Sequence, residues 1–189
     1  MTDPKRRLLA DTVNYLAANG AGDVSLRQLA AALGTSHRML IYHFGSKEGL
    51  FLEVVRTMEQ RQREIFAEFE LDADASPSDI ARRFWRRLSD PAMWPYERLF
   101  FQMYGRALQG DPCAAPLLEG IVESWLAPLT EWGRRQGMPP QEAHATARLG
   151  VAVARGLLLD LLATGDREGT DAAMEQFIAM YQAMVQEYS

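Results

Sequence analysis

The chain has 189 residues, a length that fits one domain, or a small domain joined to a medium one. A hydrophobic content of 48% with 24% charged residues excludes wholesale disorder, and a net charge of −5 disfavours indiscriminate coating of nucleic acid, so any DNA contact must use a local positive patch. The lone cysteine, Cys113, excludes an intrachain disulfide and a cysteine-only metal cage. No uncharged apolar run approaches the ~18 residues of a membrane span. The opening MTDPKRRLLADTVNYL is interrupted by Asp11 and lacks the apolar centre of a signal peptide, so no membrane association is expected and the expected location is cytoplasmic.

Charge is unevenly spread. Residues 1–50 carry a net of +2 and the remaining 139 a net of −7, a mildly basic head on an acidic body. Apolar periodicity is helical almost throughout, and no run alternates as a strand would. A first helix starts at Asp3-Pro4, lines Leu9, Val13, Leu16 and Ala17 on one face, and ends at Asn19-Gly20. Ser25 with Gln28 forms a capping box for a second helix, with Leu26, Leu29, Ala30 and Leu33 apolar and Gly34 as its stop. A third covers Ser36 to Phe44 and closes at Gly45. Ser46 then caps a long fourth helix, with Leu50, Phe51, Val54, Val55 and Met58 buried, that turns polar beyond Phe66 and ends near Leu71. Its charged second half (Arg61, Arg63, Glu64, Glu68, Glu70) reads as loosely held.

Further helices follow. One starts at Ser76 or Ser78, with Ile80, Phe84 and Leu88 inward and Arg82, Arg83, Arg86 and Arg87 outward. Others are expected over Tyr96–Leu108, Pro116–Gln136 and Gln141–Thr164, and a last one, capped by Thr170 or Asp171, runs to Glu187. The expectation is an all-α chain of about nine helices with short connections: an N-terminal three-helix domain over 1–48 and a helical bundle over 49–189.

The second and third helices are each only ~14 Å long and must pack on the first through Leu26, Leu29, Leu33, Leu40 and Phe44. That is a helix-turn-helix, whose second helix can enter the major groove. Its outer side carries Ser36, His37, Arg38, Met39, Tyr42 and His43. Arg38 suits guanine O6 and N7; the hydroxyls of Ser36 and Tyr42, the His43 imidazole and the Lys47 ammonium suit phosphate oxygens. Three-helix clusters of this size also occur in proteins that never touch DNA.

The segment Gly34-Thr35-Ser36-His37-Arg38-Met39-Leu40-Ile41-Tyr42-His43-Phe44-Gly45-Ser46-Lys47-Glu48-Gly49-Leu50 closely resembles the recognition segment of the TetR/AcrR family of bacterial transcriptional regulators. The family pattern is a small polar residue, Leu-Tyr-x-His-Phe and x-Ser-Lys-Glu-x-Leu. Leu40, His43, Phe44, Ser46, Lys47, Glu48 and Leu50 match it, while Ile41 stands where tyrosine is usual and the tyrosine falls at Tyr42. The resemblance covers residues 5–55 and implies a DNA-contacting set of Arg27, Thr35, Ser36, His37, Arg38, Met39, Tyr42, His43 and Lys47. For the rest of the chain it implies a homodimer on a palindromic operator and a cavity for a small effector within Ile80–Asp160.

In the body, aromatic and methionine side chains gather between Phe84 and Trp132. They read either as core or as the lining of a largely apolar ligand site, for which Trp85, Phe100, Tyr104 and Trp125 are the candidate contacts. The helix over 141–164 is apolar around most of its circumference, and the last helix carries surplus apolar residues such as Ala173, Met180 and Met184. Together they read as a self-association face, with a thick monomeric core as the alternative. No GxSxG, HExxH, P-loop or GxGxxG pattern occurs, the three histidines (His37, His43, His144) make no metal site unaided, and Cys113 has no histidine near it in sequence. The expectation is therefore no enzymatic activity, no cofactor and no metal. The function expected is a DNA-binding repressor released by a small apolar or aromatic ligand, with a helical small-molecule carrier as the alternative.

Overall fold

The computed structural model describes residues 3–20, 24–70, 76–112, 114–186 and 188, with backbone alone at 69 and 70. Among them the secondary structure is helical: α1 (Pro4–Asn19), α2 (Leu26–Ala32), α3 (His37–Phe44), α4 (Lys47–Glu70), α5 (Pro77–Leu88), α6 (Trp94–Leu108), α7 (Glu123–Arg135), α8 (Pro140–Thr164) and α9 (Arg167–Gln186), with one 3-10 turn at Ala115–Leu118. The expected all-α architecture of nine helices is what these residues form. The expectations about Cys113 and about helix ends at Leu71 and Glu187 fall outside the described residues.

The chain divides into two compact units, Met1–Arg61 with Pro95–Glu119, and Gln62–Trp94 with Gly120–Ser189. In the first, each short helix starts on its own side-chain cap. Asp3 accepts from the Lys5 amide ahead of Pro4, and Ser25 and Gln28 form the reciprocal capping box. Ser36 Oγ accepts from the Met39 amide at 3.2 Å, and Ser46 Oγ from the Gly49 amide at 3.1 Å. Gly45 takes φ +77°, which a side chain would resist, and so turns α3 into α4 within two residues. Gly49 completes the junction, because a Cβ there would run into the Phe44 carbonyl. Leu9, Val13 and Leu16 of α1, Leu29 of α2, Leu40 of α3, Leu50, Phe51, Val54 and Val55 of α4, and Leu99 and Met103 of α6 are all buried in this unit.

In the second unit α7 packs on α8, α8 on α9, and α5 on α9. Phe66, Ile80 and Trp125 form a buried cluster with Phe84, Leu129 and Trp132 against it. The Trp85 indole donates to Asp171 Oδ1 at 2.6 Å, and Arg82 pairs with Glu175 at 2.9 Å, two further ties between α5 and α9. Ser76, not Ser78, caps α5 in a box with Asp79. The Ser76 hydroxyl donates to the Asp79 carboxylate at 2.6 Å and holds its pKa below the ordinary value. A depressed carboxylate favours folding above its unfolded pKa, and that contribution disappears as pH falls through the folded one. In Ser76→Ala, NMR titration is therefore expected to show Asp79 ionising at a higher pH than in the wild type.

Several expectations in the body are corrected. The helix expected over Pro116–Gln136 is a 3-10 turn at Ala115–Leu118 and then α7 from Glu123, because Gly120 at φ +75° breaks the run between them. The last helix begins at Arg167 rather than behind Thr170 or Asp171, since Asp166 Oδ1 accepts from the Gly169 amide at 2.9 Å and so caps it earlier. Helix α6 starts at Trp94, with Pro95 inside its first turn where a missing N–H costs nothing. The second half of α4 is held, not loose: Phe66 is buried and Arg63 donates to Ser124 Oγ at 3.1 Å. One apolar residue reaching a core outweighs charged neighbours that point elsewhere on the same helix. Of the four arginines on α5 expected to face outward, Arg86 and Arg87 are exposed, while Arg82 and Arg83 are half-buried.

Candidate nucleic-acid interface

Leu40 and Phe44, four residues apart, turn one side of α3 into the core, which obliges the opposite side to face out. There Arg38 and Met39 are exposed, and Tyr42 is the most exposed large hydrophobic side chain of the helix, at 78%; His37, in the first turn, is exposed as well. Arg38, Ile41 and Tyr42 share this face at spacings of three and four, so a cation, a branched apolar side chain and a phenol stand side by side. His43 is half-buried, edge-on to Tyr42 at 5.0 Å, which leaves it at the border of the surface.

The flanking residues belong to the neighbouring elements. Arg27 is exposed on α2, while Thr35 is half-buried in the turn, where its amide bonds to Ala30 O at 2.9 Å. The Lys47 ammonium lies over the Phe51 ring at 5.5 Å, a cation–π contact that holds it beside the first amides of α4. Those amides and Lys47 together favour an anionic oxygen. On the other side Lys5 bridges elements, 3.5 Å from Glu53 and over the Phe44 ring at 5.6 Å, so it braces α1 against α3 and α4.

Ile41 is the residue that sequence reasoning left out. It is exposed at 37% next to Arg38, and the available signal was its own departure from the tyrosine of the motif. An apolar side chain there suits a thymine methyl rather than a phosphate.

Residues 8–54 match the family model of bacterial regulatory proteins, tetR family. That match covers 47 of the 189 residues, so it is the head of the chain that is similar to the TetR family. Among solved structures it is similar to a transcriptional regulator from Rhodococcus sp. Rha1, with 22% identity over 94% of this chain and 95% of that one and a TM-score of 0.79. It is also similar to the multidrug binding protein EbrR complexed with imidazole (20% identity, 93% and 95% covered, TM-score 0.68). BioQ with its double-stranded DNA operator is a third such structure (18% identity, 95% and 99% covered, TM-score 0.61). No curated protein matches the sequence. At these identities the likeness to solved structures speaks for the TetR fold, and the head for the family's DNA-binding helix-turn-helix.

The body candidates are distributed over the two units. Phe100 and Tyr104 belong to the first, where their rings stack at 5.7 Å. Trp125 belongs to the second, within the cluster around Phe66, and Trp85 is also there with its indole N–H committed to Asp171. Among the described residues no group of three His, Cys, Asp or Glu side chains could hold a metal ion, and no helix is long and apolar enough to cross a membrane.

The short helices make the interface sensitive to its caps. Ser25→Ala removes the side-chain acceptor for the Gln28 amide at the start of a seven-residue helix. A loss of about 1 kcal/mol in stability is expected from thermal denaturation.

Proposed function

We propose that the chain is a sequence-specific DNA-binding transcriptional regulator, acting as a cytoplasmic repressor, with residues 1–48 as the reading head and 49–189 as the effector-binding and dimerisation part. The observation that carries this reading is the exposed face of α3, where Arg38, Ile41 and Tyr42 present base-reading and backbone-positioning chemistry together. Arg27, Thr35, Ser36, His37, Met39, His43 and Lys47 complete the contact set.

Self-association is supported by α8. Ala145, Leu149, Ala152, Gly156, Leu159 and Ala163 are all exposed and recur at alternating spacings of four and three, the pattern of a helix-packing seam. Leu149 and Leu159 are about half exposed (53% and 52%), and Met180 on α9 more so at 61%. The seam is symmetric about position 154: Ala145 mirrors Ala163, Leu149 mirrors Leu159, and exposed Arg148 mirrors exposed Asp160. Two antiparallel copies of α8 therefore bring like apolar side chains and opposite charges together, as a two-fold contact requires. Such a dimer presents two heads to a palindromic operator.

The effector in this reading is small and apolar or aromatic, received by the aromatic side chains of the body, with Trp85, Phe100, Tyr104 and Trp125 as candidate contacts. EbrR in complex with imidazole is a similar fold holding a small ring, and BioQ one holding its operator. Helix α4 is unbroken from Lys47 to Glu70, so the chain passes from the head to Phe66 of the aromatic cluster without leaving the helix. A ligand that favours one placement of Phe66 over another biases the head through that helix, and each ~1.4 kcal/mol of difference lowers operator affinity tenfold.

Selection of bound sequences from a random DNA pool, followed by gel shifts on the DNA upstream of the protein's own gene, tests the reading. One near-palindrome is expected. A carrier would select nothing, and a DNA-compacting protein would shift every fragment alike.

A further inference from the structure

A cleft in the second unit is lined by Trp132 and Gly133 of α7, Ala147 and Gly150 of α8, and Phe177 and Tyr181 of α9. Small residues on α7 and α8 leave the gap, and aromatic rings wall it. Trp132 and Tyr181 stack face to face at 5.7 Å with an 11° tilt. Among the described residues no charged side chain lines the cleft, and the Tyr181 hydroxyl is buried without a hydrogen-bond partner. Such an orphan hydroxyl is uncommon, because it has lost water and gained nothing in exchange. Burial also pushes the Tyr181 pKa up, which keeps the phenol neutral and its proton in place as a donor.

We propose that this cleft is a binding site for a small, uncharged, single-ring aromatic molecule bearing one hydrogen-bonding group, stacked against Trp132 and anchored by the Tyr181 hydroxyl. The absence of charge in the lining excludes an ionic ligand, whose desolvation nothing here would offset. The volume is about 70 Å³, smaller than the ~150 Å³ of an engineered apolar cavity that takes up benzene, so one ring seated partly in the open side is the upper limit. On α8 the lining residues 143, 147 and 150 lie nearly opposite the exposed seam at 145, 149 and 152, so the dimer contact proposed above leaves the cleft uncovered. Trp132 also stands edge-on to Phe66 of α4 at 6.4 Å, which puts the occupant one ring away from the helix that continues into the head. As an effector site the cleft rests on the regulator reading; as a binding site it does not.

The test uses the full chain, with phenol, benzene and benzoate as probes and calorimetric or tryptophan-fluorescence titration as readout. Saturable binding of phenol and benzene but not benzoate is expected. Tyr181→Phe should weaken phenol by about fivefold, the worth of one neutral hydrogen bond, and leave benzene unchanged. Gly150→Ala is the fold-safe control: its Cβ would sit 3.9 Å from Phe177 Cζ, an ordinary contact, and alanine favours the helix. It should weaken phenol and benzene alike without lowering the melting temperature. No saturable binding of phenol, equal phenol affinity in wild type and Tyr181→Phe, benzoate binding as tight as phenol, or unchanged binding in Gly150→Ala each overturns the site. A wild type that selects a palindrome but binds no probe sinks the cleft and leaves the regulator standing. One that binds phenol and selects no DNA does the reverse.

Discussion

Arg38→Ala is expected to cost about 1–3 kcal/mol of operator affinity and to relax the base preference at one position in each half-site. The reason is geometric. Arg38 is exposed on the same side of α3 as Ile41 and Tyr42, opposite the buried Leu40 and Phe44, so it faces whatever lies against that helix. Lys47 is expected to behave differently, because its ammonium sits over Phe51 at the start of α4, beside backbone amides rather than on the reading face. Lys47→Ala should weaken all sequences equally and lower the slope of log affinity against log salt by about one unit. Binding titrations on the selected operator and its single-base variants, at several salt concentrations, separate the two effects. Unchanged affinity and preference in Arg38→Ala would remove α3 from the role of reader.

Leu159→Asp is expected to turn the proposed dimer into monomers. By two-fold symmetry the substitution enters the contact twice, and an apolar centre that loses about 2 kcal/mol at each site loses about 4 in all, roughly a thousandfold in the dimer constant. Operator affinity should fall with it, since one head then faces each half-site alone. Met180→Asp on α9 should act in the same direction, from a side chain that is exposed at 61%. Sedimentation of the wild type and both variants at micromolar concentration gives the answer. A monomeric wild type, or a Leu159→Asp protein that stays dimeric, excludes the α8 seam.

The head was legible in the sequence because each of its boundaries is written in short-range chemistry. Ser25 with Gln28, Ser36, Gly45 and Ser46 act within three residues of where they stand, and the structure uses all of them. The body was legible as helices but less so at its joints. Gly120 interrupts a run that otherwise reads as one helix, and Asp166 competes with Thr170 and Asp171 for the same cap. Phe66 and Arg63 looked like a loose end because their anchors, Trp125 and Ser124, lie some sixty positions downstream. The cleft around Tyr181 was invisible for the same reason: its walls come from helices α5, α7, α8 and α9, and the missing partner of one hydroxyl leaves no trace in composition or period.

Helix α4 also constrains how such a chain can change over generations. Leu50, Phe51, Val54 and Val55 are buried in the same unit as Leu40 and Phe44 of α3, yet they sit on the same unbroken helix that later carries Phe66 into the aromatic cluster. Residues 1–48 therefore cannot be traded between proteins alone, because a cut between 48 and 49 removes four buried side chains of the first unit. Any exchange has to splice inside α4 and keep its register. One inserted or deleted residue turns everything beyond it by about 100° around the helix axis. Substitutions at its exposed positions leave that register intact, whereas any change of length does not.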